Sequence, residues 1–420
     1  MSQKRKAIII GAGPAGLAAA LRLHQQTNIS CTLYELRPEP TTLGGAIGIP
    51  SNGLRLLHRL GVYDKVIARG FGGSTMTLHS VRGHIVGAQE IVGWAREKTG
   101  FGYLRIKRAD LVDILLEAVH EALIPIHFGR RVTSIGETDR VRVLFEDGST
   151  DEADMVFGCD GIHSFVRSSV VDPGQAAVYS GMSGLATLIA MEDVSAETRN
   201  LINGMEATLT EDGMLAVTPC TAEKNELFLF FSKEVALPDS GDSRDGWEAH
   251  GREQIDNFKD MLLGLLESGQ GKWARALREL VDKTSVVKFY PVYRLPPGRA
   301  WSQGRCVLIG DAAHAMSPHA GQGVSMALED VFLLSRLLED SNRALVEVCR
   351  KYDEIRRPRI NEIYETAAQN ADVRRKTGPL GLWFKEIGLS LALILTQALG
   401  LDKGGLKQKQ LIYDIDQVEL

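Results

Sequence analysis

The sequence predicts an α/β fold: a Rossmann-like parallel-sheet domain, an inserted and mainly antiparallel sheet domain, and helices toward the C-terminal end. Three observations carry that prediction. Residues 7–16, AIIIGAGPAG, join an apolar run to three closely spaced glycines and a helical pattern, in the order strand, tight turn, helix. Two later runs, Met155 to Gly158 and residues 305–310 (RCVLIG), have the apolar character of strands buried on both faces, and each leads into a glycine-containing turn. Between them, from about 176 to 295, the pattern changes to short strands, several of them alternating, interrupted by helical segments.

In chain order, Gly11 allows a sharp turn, Gly13 allows a phosphate to approach the backbone, and Gly16 allows the next helix to pack closely on its strand. With Ala15 between them, these residues set a helix N-terminus and its free N–H groups toward an anion. A second strand-like run, Ser30 to Leu36, ends near Glu35, 19 residues after Gly16, where an acid can bind a pair of ribose hydroxyls. Strand, helix, strand and acid together predict dinucleotide binding.

Gly44, Gly45 and Gly48 then predict a loose loop before a short helix that Ser51 or Asn52 can cap and Gly61 can end. Such a loop, with Gly45 and Ala46 at its centre, is either a plain connection or backbone held close to a bulky ligand. Residues 108–122 repeat apolar positions at helical spacing and open on Arg108, a cation that opposes the helix dipole. Arg108 therefore either meets a carboxylate or phosphate from outside or is simply solvated. Val141, Val143 and Phe145 alternate ahead of Asp147 and Gly148 as in a hairpin, and the 155–158 strand places Asp160 and Gly161 at a sheet edge of the kind that binds ligands.

The 176–295 region offers strands at Ala186 to Ala190, Met205 to Thr210, Met214 to Thr218, Leu227 to Phe231 and Val286 to Tyr290, with helices near 253–266 and 273–282. Residues 236–251 are polar and glycine-rich and read as a surface loop. After the 305–310 strand comes DAAHAMSPHAGQG, which places Asp311 at a strand end. Val324, Ala327, Leu328, Val331, Leu334 and Leu338 then line one face of a helix starting near Gly321 to Gly323. The last 80 residues read as helical, and Ile387 to Leu401 is apolar but interrupted by Ser390, Thr396 and Gln397. A packed or interface helix is the favoured reading there, with peripheral membrane contact as its alternative. The expected division is a discontinuous cofactor domain (1–75, 100–175, 296–345), a substrate sheet domain (76–99, 176–295) and a C-terminal helical region (346–420).

A net charge of −5 and a pI near 6.1 give no electrostatic reason to expect a nucleic-acid partner. Five scattered cysteines without a C-x-x-C pair indicate neither a disulfide framework nor a zinc site, so a reducing, cytoplasmic location is expected. Lys4, Arg5 and Lys6 before an apolar run imitate a signal peptide, but the glycine spacing and acid-ended second strand argue against one. His163, His314 and His319 show no metal-binding spacing and are expected to pack or hydrogen-bond rather than catalyse.

GAGPAG, GCDG and IGDAAHAMSPHAGQG together resemble the FAD-dependent aromatic hydroxylases, the single-component group A flavin monooxygenases related to salicylate and p-hydroxybenzoate hydroxylase, over roughly residues 7–350. The resemblance implies non-covalent FAD. Its pyrophosphate would lie at Gly11, Gly13, Ala15 and Gly16, its ribose at Glu35, and further contacts at Gly45, Ala46 and Arg108. Asp160 and Gly161 would be linked to both FAD and NADPH, and Asp311 would be a buried carboxylate on the ribityl chain. Pro318, Gly321, Gly323 and Val324 would lie beside the isoalloxazine. The implied reaction uses NADPH or NADH and O2 to hydroxylate or epoxidise an electron-rich aromatic or alkene small molecule through a flavin C4a-hydroperoxide, with secondary metabolism as one setting. No protein nucleophile and no metal are required. A second G-x-G-x-x-G is missing, so the nicotinamide is expected to bind transiently. No W-x-W pair supports a halogenase, and Arg294 follows Tyr293 where family members often carry an acid. A flavin-dependent reductase or dehydrogenase and a redox-responsive FAD-containing binding protein remain alternatives.

Overall fold

The computed structural model describes residues 5–40, 45–174, 176–238, 244–401, 405–406 and 408–420. Two sheets organise the chain. The first runs in the order Ser302–Gln303, Cys306–Leu308, Met155–Gly158, Arg5–Ile10, Ile29–Tyr34, Ile126–His127. All its pairs are parallel except the short Ser302–Gln303 edge. Ile8 and Ile9 sit opposite Val156 and Phe157 on one side and Thr32 and Leu33 on the other, and both isoleucines are completely buried. That double burial is why the run is continuously apolar rather than alternating. Parallel register brings the C-terminal ends of the 5–10, 155–158 and 306–308 strands to one edge.

The helix Pro14–Gln26 starts with proline in its first turn and lies close against its own strand. A Cβ at Gly16 would stand 1.9 Å from the Gly11 carbonyl oxygen, so only glycine fits there. The same helix packs on Gly323–Glu339, where Arg22 lies 4.2 Å from the Phe332 ring centroid and donates through Nε to Ser335.

The second sheet runs Lys288–Arg294, Val178–Ala190, Glu226–Glu234, Gly213–Pro219, Met205–Leu209, Thr75–Ser80, Ile85–Glu90. It is antiparallel apart from the Met205–Leu209 and Thr75–Ser80 pair. Leu227, Leu229 and Phe231 point to one face, where Phe258–Leu265 and Gly271–Asp282 close a core with Leu262, Leu277 and Leu280. The alternate residue Phe228 points to the other face and clusters with Ala186, Cys220 and Ala46.

Several elements depart from the sequence reading. The last strand of this sheet is Lys288–Arg294 rather than 286–290, and the 186–190 strand begins at Val178. Residues Arg244–Asp256 form a helix in what was read as a 236–251 loop, with Trp247 buried against Phe289 and Tyr179; residues 239–243 lie outside the described residues. Ser51 and Asn52 do not cap their helix, which starts at Ser51 itself. Ser51 Oγ donates to the Gly102 carbonyl and Asn52 reaches Glu329, so both side chains tie the helix to its neighbours. Nor is Gly48 in a loose loop: Ala46–Ile49 is a strand paired with Leu104–Lys107, and Gly44 lies outside the described residues.

The C-terminal region contains the helices Leu345–Asp372 and Pro379–Ala398 and a tail that folds back. Asp414 pairs with Arg55 and Arg59, and Arg336 donates to the carbonyls of Ile415 and Val418. The Pro379–Ala398 helix packs one side through Leu382 and Gln397 and leaves the other exposed.

Candidate cofactor and substrate site

The three glycine-containing motifs meet at the strand-end edge. Gly11 has φ +103°, and a Cβ there would lie 2.5 Å from the Cys159 carbonyl oxygen, which fixes the first turn against the second. A Cβ at Gly310, φ +63°, would stand 3.5 Å from the Ala15 methyl, which places the third motif against the first. Gly13, by contrast, has no described heavy atom within 4 Å of its Cβ position, and it caps the helix Pro14–Gln26 without a side chain in the way. The open positive end of that helix faces the edge.

Glu35 follows its strand and accepts two backbone N–H groups, from Ala12 at 2.8 Å and Arg37 at 3.0 Å. Its carboxylate thus ties the first turn to the second strand and retains acceptor capacity for hydroxyls. Asp160 Oδ2 accepts from the N–H groups of Phe165 and Val166, whereas Oδ1 is buried with no hydrogen-bond partner among the described residues. Burial pushes its carboxyl upward despite those bonds. Gly161 takes φ +76°. Arg108 opens the helix Arg108–Glu121, donates its backbone N–H to the Gly45 carbonyl, and keeps an exposed side chain that acts electrostatically on Tyr290.

Asp311 opens a short helical turn, Asp311–His314, and in the protein alone it is exposed rather than buried. The expected burial is therefore not met: the carboxylate sits at the rim of the strand-end edge, where water solvates it at no desolvation cost. Pro318–Ala320 forms a 3-10 turn, Gly321 takes φ +63°, and Gly323 begins the long helix Gly323–Glu339 with Val324 next to it. Neither Gly321 nor Gly323 has a described heavy atom within 4 Å of its Cβ position, and that helix has no acidic side chain in its first turn.

His319 is held on both ring nitrogens: Nε2 lies 2.9 Å from Ser232 Oγ on the second sheet and Nδ1 lies 2.5 Å from Ser317 Oγ. Desolvation, and secondarily Arg374, push its pKa down to about 3, so the ring is neutral at physiological pH and a poor proton acceptor. His314 is buried with Nε2 2.7 Å from Asp330 Oδ2. Above the turn, Phe228 and Phe230 stack at 5.5 Å, and a Cβ at Gly45 would lie 2.0 Å from Phe228 Cε2.

Sequence reasoning missed the buried ionic cluster beneath these loops. Asp330 Oδ2 accepts from the Gly310 N–H, directly before Asp311. Arg356, fully buried, donates through Nε to Asp330 at 2.8 Å and through Nη1 to Glu329 at 2.6 Å. Arg359 and Asn52 also reach Glu329, and Asn52 donates to Gln322 as well. Burial alone would raise the Asp330 carboxyl, but His314 and Arg356 outweigh it and hold it below the usual carboxylate range. The available signal was an adjacent Glu–Asp pair inside an otherwise apolar helix.

Two helix N-termini free of side-chain caps, an orphaned buried oxygen on Asp160, an exposed Asp311 and open glycines fit a long dinucleotide laid along the sheet edge. That edge, with the antiparallel sheet held beside it through Ser232–His319 and Phe228–Gly45, has the architecture of a dinucleotide-binding α/β protein. The chain belongs to the FAD binding domain family, whose profile matches residues 4–253 and 297–367, and it is an FAD-dependent monooxygenase. It is 27% identical over 382 residues to 6-hydroxynicotinate 3-monooxygenase of Pseudomonas fluorescens, covering 90% of this chain and 94% of that one. It is 28% identical over 389 residues to a salicylate hydroxylase of Pseudomonas putida, covering 89% and 86%. Among solved structures, Klebsiella pneumoniae HpxO complexed with FAD and uric acid superposes with a TM-score of 0.79 at 24% identity, covering 97% of this chain and 98% of that one. A salicylate hydroxylase substrate complex gives 0.73 at 20% identity, covering 98% of each chain.

Proposed function

We propose that the enzyme uses NAD(P)H and O2 to hydroxylate or epoxidise an electron-rich aromatic or alkene small molecule held between the antiparallel sheet and the flavin ring. The observation that carries this reading is the apolar sheet face set on the cofactor edge: Phe228 over Gly45, with Ala46, Ala186 and the Phe230 ring beside it. FAD, when bound, supplies the electron transfer and oxygen activation.

The protein's part is binding, orientation and exclusion of water. The N-terminus at Gly13 receives the pyrophosphate, and Glu35 accepts ribose hydroxyls with the capacity left after Ala12 and Arg37. Arg108 supplies a cation beside Gly45, and Asp311 accepts ribityl hydroxyls. The uncompensated N-terminus at Gly323 stabilises negative charge on the ring. His319, neutral and clamped between Ser317 and Ser232, positions rather than deprotonates. Phe228 and Phe230 present a dry aromatic wall, which suits an apolar ring. The discontinuous cofactor domain and inserted substrate domain are part of this reading.

The test is a panel of aromatic and alkene compounds, followed by NAD(P)H consumption and by oxygen-18 incorporation into product. A true substrate should also accelerate flavin reduction in rapid mixing, by shifting the population toward a reducible arrangement. Reduction that yields only peroxide with every compound, or product without oxygen-18, would transfer the assignment to a reductase.

A further inference from the structure

His319 stands between the antiparallel sheet and the turn Pro318–Ala320, with Ser232 Oγ 2.9 Å from its Nε2 and Ser317 Oγ 2.5 Å from its Nδ1. Ser232 shares the sheet face of Phe228 and Phe230 and follows Phe230 by about 7 Å along the strand. Its direct cross-strand neighbour is Gly184, whose Cβ position has no described heavy atom within 4 Å. Open space therefore borders Ser232 at the end of the aromatic wall. On the other side of the ring, Ser317 lines a cavity of about 80 Å³ together with Ser180, Tyr364, Arg294, Asp372 and Arg375, the last three exposed. A polar cavity of that size holds water.

The two histidines of this segment differ in what meets the ring. His314 Nε2 faces the Asp330 carboxylate, which only accepts, so that nitrogen must carry the hydrogen. His319 has a hydroxyl at each nitrogen instead. A hydroxyl both donates and accepts, so the tautomer with hydrogen on Nδ1 and the one with hydrogen on Nε2 are equally well bonded. Desolvation, with Arg374 second, pushes the ring pKa down to about 3 and so opposes a third state protonated on both nitrogens. Such a ring is no base in its own right, but it can pass a proton without keeping it, taking one at one nitrogen as it yields one at the other.

We infer that Ser232, His319 and Ser317 form a proton path between the substrate face of the sheet and the water of this cavity. The inference rests on the hydroxylation proposed above. There the oxygen joins a ring carbon whose own hydrogen leaves as a proton while the C–H electron pair returns to the ring. That proton passes to Ser232 Oγ, the Ser232 proton to His319 Nε2, the Nδ1 proton to Ser317 Oγ and the Ser317 proton to a cavity water. Every protein group ends neutral, and only the tautomer has changed. A proton travelling inward restores it. The overall balance requires inward transfer, since substrate, O2, NAD(P)H and one proton from solution give hydroxylated product, NAD(P)+ and water.

Nitrogen-15 NMR of the FAD-loaded full chain, labelled in histidine and with His319→Gln marking the signal, tests the path without substrate. Both His319 nitrogens should be averaged between donor and bare positions from about pH 5 to 8, and His314 in the same spectrum should hold one tautomer. With a panel compound that takes up oxygen-18, Ser317→Ala should lower kcat about tenfold or more, leave KM unchanged and enlarge the solvent deuterium effect, and Ser317→Thr should restore the rate. Should Ser317→Ala lose its flavin absorbance, the spectrum of the unmodified chain decides alone. A single fixed tautomer at His319 overturns the path even where oxygen-18 enters product, and so does an unchanged kcat in a flavin-loaded Ser317→Ala. A panel in which no compound takes up oxygen-18 overturns the hydroxylation reading and the path with it, whichever tautomers the spectrum shows.

Discussion

Replacing Arg356 by Met removes the central cation of the ionic cluster while keeping an unbranched apolar side chain. Arg356 is completely buried and serves two carboxylates, Asp330 and Glu329, which are themselves no more than 1% exposed. Breaking a buried pair by removing one partner costs about 3–5 kcal/mol. His314 stays on Asp330 and Arg359 on Glu329, so the lower end of that range, about 3 kcal/mol, is expected. In a chain of this size that corresponds to roughly 3–4 °C in Tm. The pH dependence follows from Asp330. In the native protein its folded pKa lies below the unfolded value, so its stabilising contribution is present above the ordinary carboxylate pKa and is lost as pH falls toward the folded one. Without Arg356, desolvation is less opposed and the folded pKa rises, so acid conditions penalise the variant less than neutral ones. Thermal and urea melts of the FAD-free proteins between about pH 4 and 8 should show the gap widening toward neutrality. A gap below about 1 kcal/mol, or one independent of pH, would show that the cluster does not bear on stability as argued. Asp330→Asn in the Arg356→Met background should recover part of the loss, because the uncompensated charge is gone.

Asp311→Ala should weaken FAD binding by about 1.5–3 kcal/mol, the contribution of a charge-assisted hydrogen bond; equal titration curves for a folded variant would remove Asp311 from the site. Gly45→Ala should lower stability by about 1–3 kcal/mol through collision with Phe228, and Phe228→Leu should relieve part of it; an unshifted melt for the single variant would contradict the contact. At Asp414, burial opposes the charge, but hydrogen bonds from Arg59 and Arg55 prevail and depress the carboxyl. Its contribution is therefore present above the ordinary carboxylate range and disappears as pH falls below it, and Asp414→Asn should flatten that acid limb in urea melts.

The parallel sheet was legible because burial on both faces leaves a continuous apolar run, and the turn at Gly11 to Gly16 because no other residue tolerates that φ and that approach. What Glu35 does within the protein was not, since nothing in its spacing shows that it accepts the Ala12 N–H. The ionic cluster was hidden for a related reason. Periodicity marks Glu329 and Asp330 as the polar side of a helix, and only the later helix Leu345–Asp372 turns that side into an interior by setting Arg356 against it. Residues 244–256 lack an apolar stripe in sequence, and the helix is held by contacts that the pattern does not show, Trp247 and His250 against Phe289 and Ile255 against the sheet core. At Ile387 to Leu401 the apolar character was readable, but which side met the sheet depended on Gly87 and Ala88, about 300 residues earlier in the chain.

The order of the parallel sheet has a consequence for synthesis on the ribosome. Its strand Cys306–Leu308 pairs with Met155–Gly158, so the sheet waits for a segment made after almost the whole antiparallel sheet has emerged. The nascent chain must carry a half-built sheet, with the edge of Met155–Gly158 open to other strands, for the time taken to translate roughly 150 residues, on the order of ten seconds or more. Until then Asp311 and the loop that precedes the Gly323 helix do not exist, and of the proposed FAD contacts only those in the first half of the chain, at the glycine turn, Glu35, Arg108 and Asp160, have been made. Tight cofactor capture is thus a late event, and variants that slow closure of this sheet should deplete the protein through aggregation of newborn chains even where the finished enzyme is sound.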